Sequence, residues 1–114
     1  MRERQITIIK KEPGKMPELV PLFENTLEAM QEAVGGYIET VTIAKDAVII
    51  CDEEGLLKSK DENVKFLGNM WRGTILIAGR KKDEFASLKP KVSAAFMGWL
   101  TDAELAMRKG RDEE

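Results

Sequence analysis

Histidine is absent from all 114 positions of this chain, so its chemistry has to come from carboxylates, amides, basic side chains and one thiol. Without imidazole the commonest acid–base group at neutral pH is missing, and a single cysteine cannot complete the usual zinc or copper geometries. Hydrolytic triads and structural zinc are excluded. That cysteine, Cys51, closes the apolar run Ala47-Val48-Ile49-Ile50-Cys51. It can form no internal disulfide, has no histidine to activate a thiolate, and reads as a buried small hydrophobe.

The carboxylates cluster at Asp52-Glu53-Glu54 and Asp61-Glu62. Acid–base catalysis needs two such groups held at fixed spacing in a cleft, whereas these runs have the pattern of solvated turns. Asp46 and the Asp52 cluster lack the alternating oxygen ligands of a calcium loop, so no metal is expected. Gly68, Gly73 and Gly79 match no phosphate-cradling motif, and no cofactor is expected. An enzyme would have to work with Asp, Glu, Tyr37 or Lys alone, and the expected answer is that the chain is not one.

Binding chemistry is better represented. Asn63, Asn69, Trp71 and Arg72 combine amides with an indole and a guanidinium, groups that stack on and hydrogen-bond a planar ligand or a partner surface. They are the ligand- or partner-binding candidates, although Trp71 reads first as a core plug. Arg80-Lys81-Lys82, followed at once by Asp83-Glu84, reads as a solvated turn. Together with Lys89, Lys91 and a stacking Trp71, it is also the basis for nucleic-acid binding as an alternative.

These groups have to be positioned by one small fold. A hydrophobic content of 43% in 114 residues supports one core, so a single domain spanning 1–114 is expected. No apolar stretch approaches the roughly 20 residues needed to cross a bilayer, and the opening Met1-Arg2-Glu3-Arg4 is no signal peptide, so a cytoplasmic location is expected. The net charge of −2, with acids and bases interspersed, supplies no strong field for nucleic acid.

The β-branched run at 5–10 predicts a strand, and 18–23, interrupted by Pro21, an edge strand or connector paired with it as a hairpin. A helix follows over about 25–34. Asn25 is its expected cap, Glu28 its capping-box carboxylate, and Gly35 or Gly36 its left-handed end. Segment 37–43 alternates as a strand, and 47–51 is apolar enough to be covered on both faces. The stretch 56–72 reads as a long ordered loop with one helical turn, and 73–79 as a second central strand.

Beyond it, Ser87 is the expected cap of a helical carboxy-terminus over about 88–109. The Thr101-Asp102-Ala103-Glu104 pattern breaks that helix near Leu100, and 110–114 is a frayed tail. The expected class is α+β, a mainly antiparallel sheet with one central helix packed on it. Phe96, Met97, Trp99, Leu100 and Met107 present more apolar surface than one stripe requires. They either cap the sheet or bury against a second copy, which makes them interface candidates for a homo-oligomer, a dimer foremost.

The segments Asn25-Thr26-Leu27-Glu28-Ala29-Met30-Gln31 and Val34-Gly35-Gly36-Tyr37-Ile38-Glu39 resemble the DUF3846 family, small proteins of phages, plasmids and integrative elements. The likeness continues through Asp52-Glu53-Glu54-Gly55, Asn63, the 73–79 strand and Glu84-Phe85-Ala86-Ser87-Leu88. It covers most of an α+β core at 5–88, with 89–109 as a helical extension. Val64 departs from the basic residue that often follows the family asparagine. The resemblance implies no established activity. It implies the company of mobile-element genes, whose small products often counter host defences by binding an effector. The functional expectation is a non-enzymatic binding protein, an anti-defence or regulatory factor that takes a host protein or small signalling molecule. A purely structural oligomerisation domain is the remaining alternative.

Overall fold

Alternation in the β-branched runs decides which side chains meet. The computed structural model describes residues 3–55 and 58–112. Met1, Arg2, Leu56, Leu57, Glu113 and Glu114 lie outside the described residues, and with them the opening of the chain, the start of the expected 56–72 loop and the end of the expected tail. The elements in order are β1 (Gln5–Lys11), β2 (Glu18–Glu24), α1 (Leu27–Val34), β3 (Ile38–Ala44), β4 (Ala47–Asp52), β5 (Glu62–Phe66), β6 (Asn69–Arg72), β7 (Ile75–Lys81), β8 (Glu84–Ala86) and α2 (Pro90–Asp112).

The main sheet runs β2-β1-β7-β4-β3, with β8 also paired to β7, and every pairing is antiparallel. Its class is α+β. β7 and β4 lie inside the sheet, and all six residues of β4 are buried, as a run apolar on both faces requires. β2 is an edge strand paired with β1, and its register slips opposite Thr7, where Pro21 and Leu22 face one residue. A proline without an N–H is tolerated at such a bulge on an edge.

Each face has its own core. Ile6, Ile8, Val48, Ile50, Leu76 and Ala78 pack under Met30 and Val34 of α1. Ile9, Ile49, Cys51, Ile75 and Ile77 pack on the other side under Phe96 and Leu100 of α2, joined by Val64, Phe66 and Trp71 of the small β5–β6 sheet. The sheet thus lies between a short helix and a layer made of a long helix and a hairpin.

Several expectations need correction. The stretch 56–72 holds no helical turn: it carries the β5–β6 hairpin, turned at Leu67 and Gly68, which both have positive φ. Helix α1 is capped by Thr26, whose hydroxyl accepts the Ala29 N–H, while Asn25 is buried and donates to the Glu3 and Phe85 carbonyls. Glu28 therefore stands one place too early for a capping box. The left-handed residue is Gly35, at φ 80°, and Gly36 is needed for space, because a Cβ there would lie 2.7 Å from both Asp52 carboxylate oxygens.

Finally, α2 does not break near Leu100. Thr101 Oγ1 donates to the Met97 carbonyl within the helix at 2.7 Å, and the helix continues through Gly110 and Arg111, where fraying is expected. Ser87 does not cap it either. Its hydroxyl accepts the Thr7 N–H and holds the exit of β8 to β1, a short strand absent from the expected element list.

Candidate functional site

Inward parity along β1 places Lys11 on the same side as Ile9, and helical spacing places Glu104 one turn beyond the buried Leu100. Both side chains are 0% exposed and meet at 2.9 Å. The Lys11 ammonium also donates to Asn63 Oδ1 at 2.8 Å and to the Glu12 carbonyl at 2.7 Å, so all three of its protons are used. Asn63 Nδ2 returns two bonds, to the carbonyls of Lys11 and Gly73, each 2.8 Å. Arg108 completes the set, with Nε on the second Glu104 oxygen at 2.8 Å and one terminal nitrogen on the Gly14 carbonyl.

This network fastens α2 to β1 and to the hairpin. Burial alone would raise the Glu104 carboxyl, but the bonds from Lys11 and Arg108 override it and hold the group below the usual carboxylate range. Burial acts first on Lys11 as well, drawing its proton affinity down against the pull of Glu104.

A second buried carboxylate, Asp52, ends β4 beneath the α1 terminus. Its side chain is 1% exposed and contacts Lys60 at 2.7 Å and Lys58 at 3.0 Å, while the Glu54 N–H donates to it at 2.9 Å. Lys60 also donates to the Val34 carbonyl, so one ammonium joins the helix end to the sheet and satisfies a terminal carbonyl. Burial opposes ionisation of Asp52, yet the bonds from Lys60, the Glu54 N–H and Lys58 hold its pKa at about 2. Cys51 lies beside it, its thiol pushed up to about 11 by burial and by the Glu39 and Asp52 charges, the reverse of an activated nucleophile.

The four binding candidates do not converge. Asn63 belongs to the buried network, and Trp71 is a core plug whose Nε1 donates to the Phe66 carbonyl at 2.9 Å. Asn69 is exposed at the hairpin turn, and Arg72 is half-buried, donating to the Lys60 carbonyl at 3.4 Å. Among the basic residues, Lys89 pairs with Asp46 at 3.2 Å and Arg80 bonds to Thr42, so acids and hydroxyls interleave with them.

The α2 candidates divide. Phe96 and Leu100 are buried, and Met97 and Met107 pack against the same cluster, so these four cap the sheet. Trp99 is 54% exposed and stands edge-on to Phe96 with ring centroids 5.2 Å apart. Ala103, Ala106 and Gly110 continue its stripe along the helix. They line a cleft of about 490 Å³ against Glu62 and Lys65 of β5, with Met107 and Arg111 on the helix side.

Sequence reasoning missed Lys11, Glu104 and the Asp52–Lys60 pair as partners. The signal available was parity: a lysine in phase with Ile9 and a glutamate in phase with Phe96 and Leu100. Among the described residues no group of three or more acidic or cysteine ligands could hold a metal ion. No described helix is long and apolar enough to cross a membrane.

Fold and surface define an α+β domain whose buried charges bind its layers together and whose long helix carries an open apolar stripe. The chain belongs to the family described as a domain of unknown function, DUF3846, which matches residues 6–101 of the 114. That match ends within α2, about halfway along the helix. No curated protein and no solved structure matches the chain.

Proposed function

We propose that this is a non-enzymatic binding protein of a phage or other mobile element, an anti-defence or regulatory factor acting in the host cytoplasm. Its partner is a host protein, held along the outer stripe of α2. The observation that carries this reading is Trp99, a large aromatic kept half in solvent yet set in orientation by Phe96. Ordered, exposed tryptophans have the area and low conformational entropy of interface anchors.

Two further features support it. The small residues Ala103, Ala106 and Gly110 let another element approach the helix closely, and Glu62, Lys65 and Arg111 along the same cleft offer rim charges of both signs. The polar groups buried deepest, Lys11, Asn63 and Glu104, are bonded to one another rather than directed at a ligand. An open cleft of this kind suits a protein surface better than a small signalling molecule, which is gripped by concave, enclosing walls.

The test compares wild type with Trp99→Lys by native mass spectrometry after capture from host lysate, with thermal melts to show that both are folded. A stoichiometric protein retained by wild type and lost from the variant is expected. Equal retention by both, or a co-purifying nucleotide in place of a protein, overturns the reading.

A further inference from the structure

The two edges of the main sheet are unlike. β2 carries Pro21, a bulge and an acid at each end, Glu18 and Glu24, all features that discourage pairing with another strand. β3 has no proline, one acid and five β-branched residues in seven, and on its outer side no described strand pairs with it. Its register with β4 is regular from Ile38 to Thr42 and shifts only near the turn.

The Glu53 N–H donates to the Tyr37 carbonyl, so the hydrogen-bonded pairs of the β3–β4 ladder fall on odd-numbered residues of β3. The N–H and C=O groups of Ile38, Thr40 and Thr42 therefore face away from β4, a template that only another extended backbone fits.

The side chains identify that backbone. Around Val41 the sequence is nearly palindromic, Glu39-Thr40-Val41-Thr42-Ile43. Under a two-fold axis at Val41, an antiparallel copy sets Val41 opposite Val41 and Thr40 opposite Thr42 twice, both favourable cross-strand pairs. Thr40 and Thr42 then exchange the outward backbone bonds. Glu39 falls opposite Ile43 and diagonal to Lys45 of the second copy, so the acid meets a base. Tyr37, 69% exposed, faces the same lysine. A register centred on Thr40 would instead bring the two Glu39 carboxylates diagonal to each other.

We propose that β3 is a homodimerisation edge, pairing antiparallel with β3 of a second copy about Val41 to join the two six-strand sheets into one of twelve strands. This surface is separate from the Trp99 stripe and does not depend on it. The proposal is tested on the full chain by sedimentation equilibrium across micromolar to millimolar concentrations, with Thr40→Pro as the breaking variant. That proline removes an outward N–H and leaves the β3–β4 bonds in place. Wild type is expected to dimerise with concentration, and Thr40→Pro to remain monomeric with its circular dichroism unchanged.

Register is read by Val41→Cys in a Cys51→Ala background. A non-hydrogen-bonded antiparallel pair has Cα atoms about 4.5 Å apart, within disulfide reach, so mild oxidation should yield a covalent dimer. Wild type that stays monomeric throughout overturns the proposal. So does a dimer that survives Thr40→Pro or gives no Val41→Cys cross-link. Trp99→Lys should leave the dimer intact, which separates failure here from failure of the α2 reading.

Discussion

Two buried carboxylates do similar work in different surroundings. Glu104 and Lys11 are both 0% exposed and only Arg108 of their network reaches solvent, whereas Asp52 is 1% exposed but both of its lysines are partly open, Lys58 at 38% and Lys60 at 21%. The Glu104 network fastens a layer to the sheet, and the Asp52 cluster fastens a loop to a helix end. An ion pair sealed from water is costly to halve, since the survivor keeps its charge without solvent, while a pair open on one side can rehydrate.

The sharpest way to break this contrast is Lys11→Met, which leaves Glu104 Oε1 and Asn63 Oδ1 without a donor in the core while Arg108 holds only the other Glu104 oxygen. A loss of about 3–5 kcal/mol in denaturant unfolding is expected, with more than half recovered in Lys11→Met/Glu104→Leu. A double variant no more stable than the single would show that packing, and not stranded charge, governs the site.

Asp52→Asn should cost less, about 2 kcal/mol near neutrality, because a folded pKa of about 2 lies below the unfolded value near 3.8. The sign follows from the depressed pKa: the carboxylate's contribution is present above about pH 4 and fades as pH falls toward 2. Melting temperature recorded against pH should therefore lose part of its acid slope in the variant. Lys58→Ala should have the smallest effect, below about 1 kcal/mol, since Lys60 still pairs with Asp52. A larger shift on thermal melting would mean that the open cluster behaves like the sealed one.

The legibility of these features in the sequence was uneven. Strands β1, β3, β4 and β7 could be read because β-branched runs have a period of their own. The β5–β6 hairpin could not, because its turn puts Leu67 in the left-handed region without the Asn-Gly pair that usually announces such a turn. The false break in α2 had a local cause as well. Thr101 and Glu104 carry the spacing of a capping box, but the hydroxyl bonds back within the helix and the carboxylate belongs to Lys11.

The N-cap of α1 moved by one residue because the Asn25 amide is held by carbonyls of distant segments, leaving the task to Thr26. Among the candidate site residues, Trp99 and Asn69 lie in solvent, whereas Asn63 and Trp71 are drawn inside. Residue type was the same guide for all four. Burial separated them.

By itself the sequence determined the α+β class, the twice-covered β4, the proline-blunted edge and the glycine end of α1, because periodicity, β-branching and the stereochemistry of Pro and Gly act over a few neighbouring residues. Tertiary structure alone decided that Lys11 meets Glu104 across 93 positions, that one helix spans 90–112, and that Trp99 rather than Trp71 faces solvent. The physical reason is that burial and charge pairing are properties of the packed chain, which no local window contains.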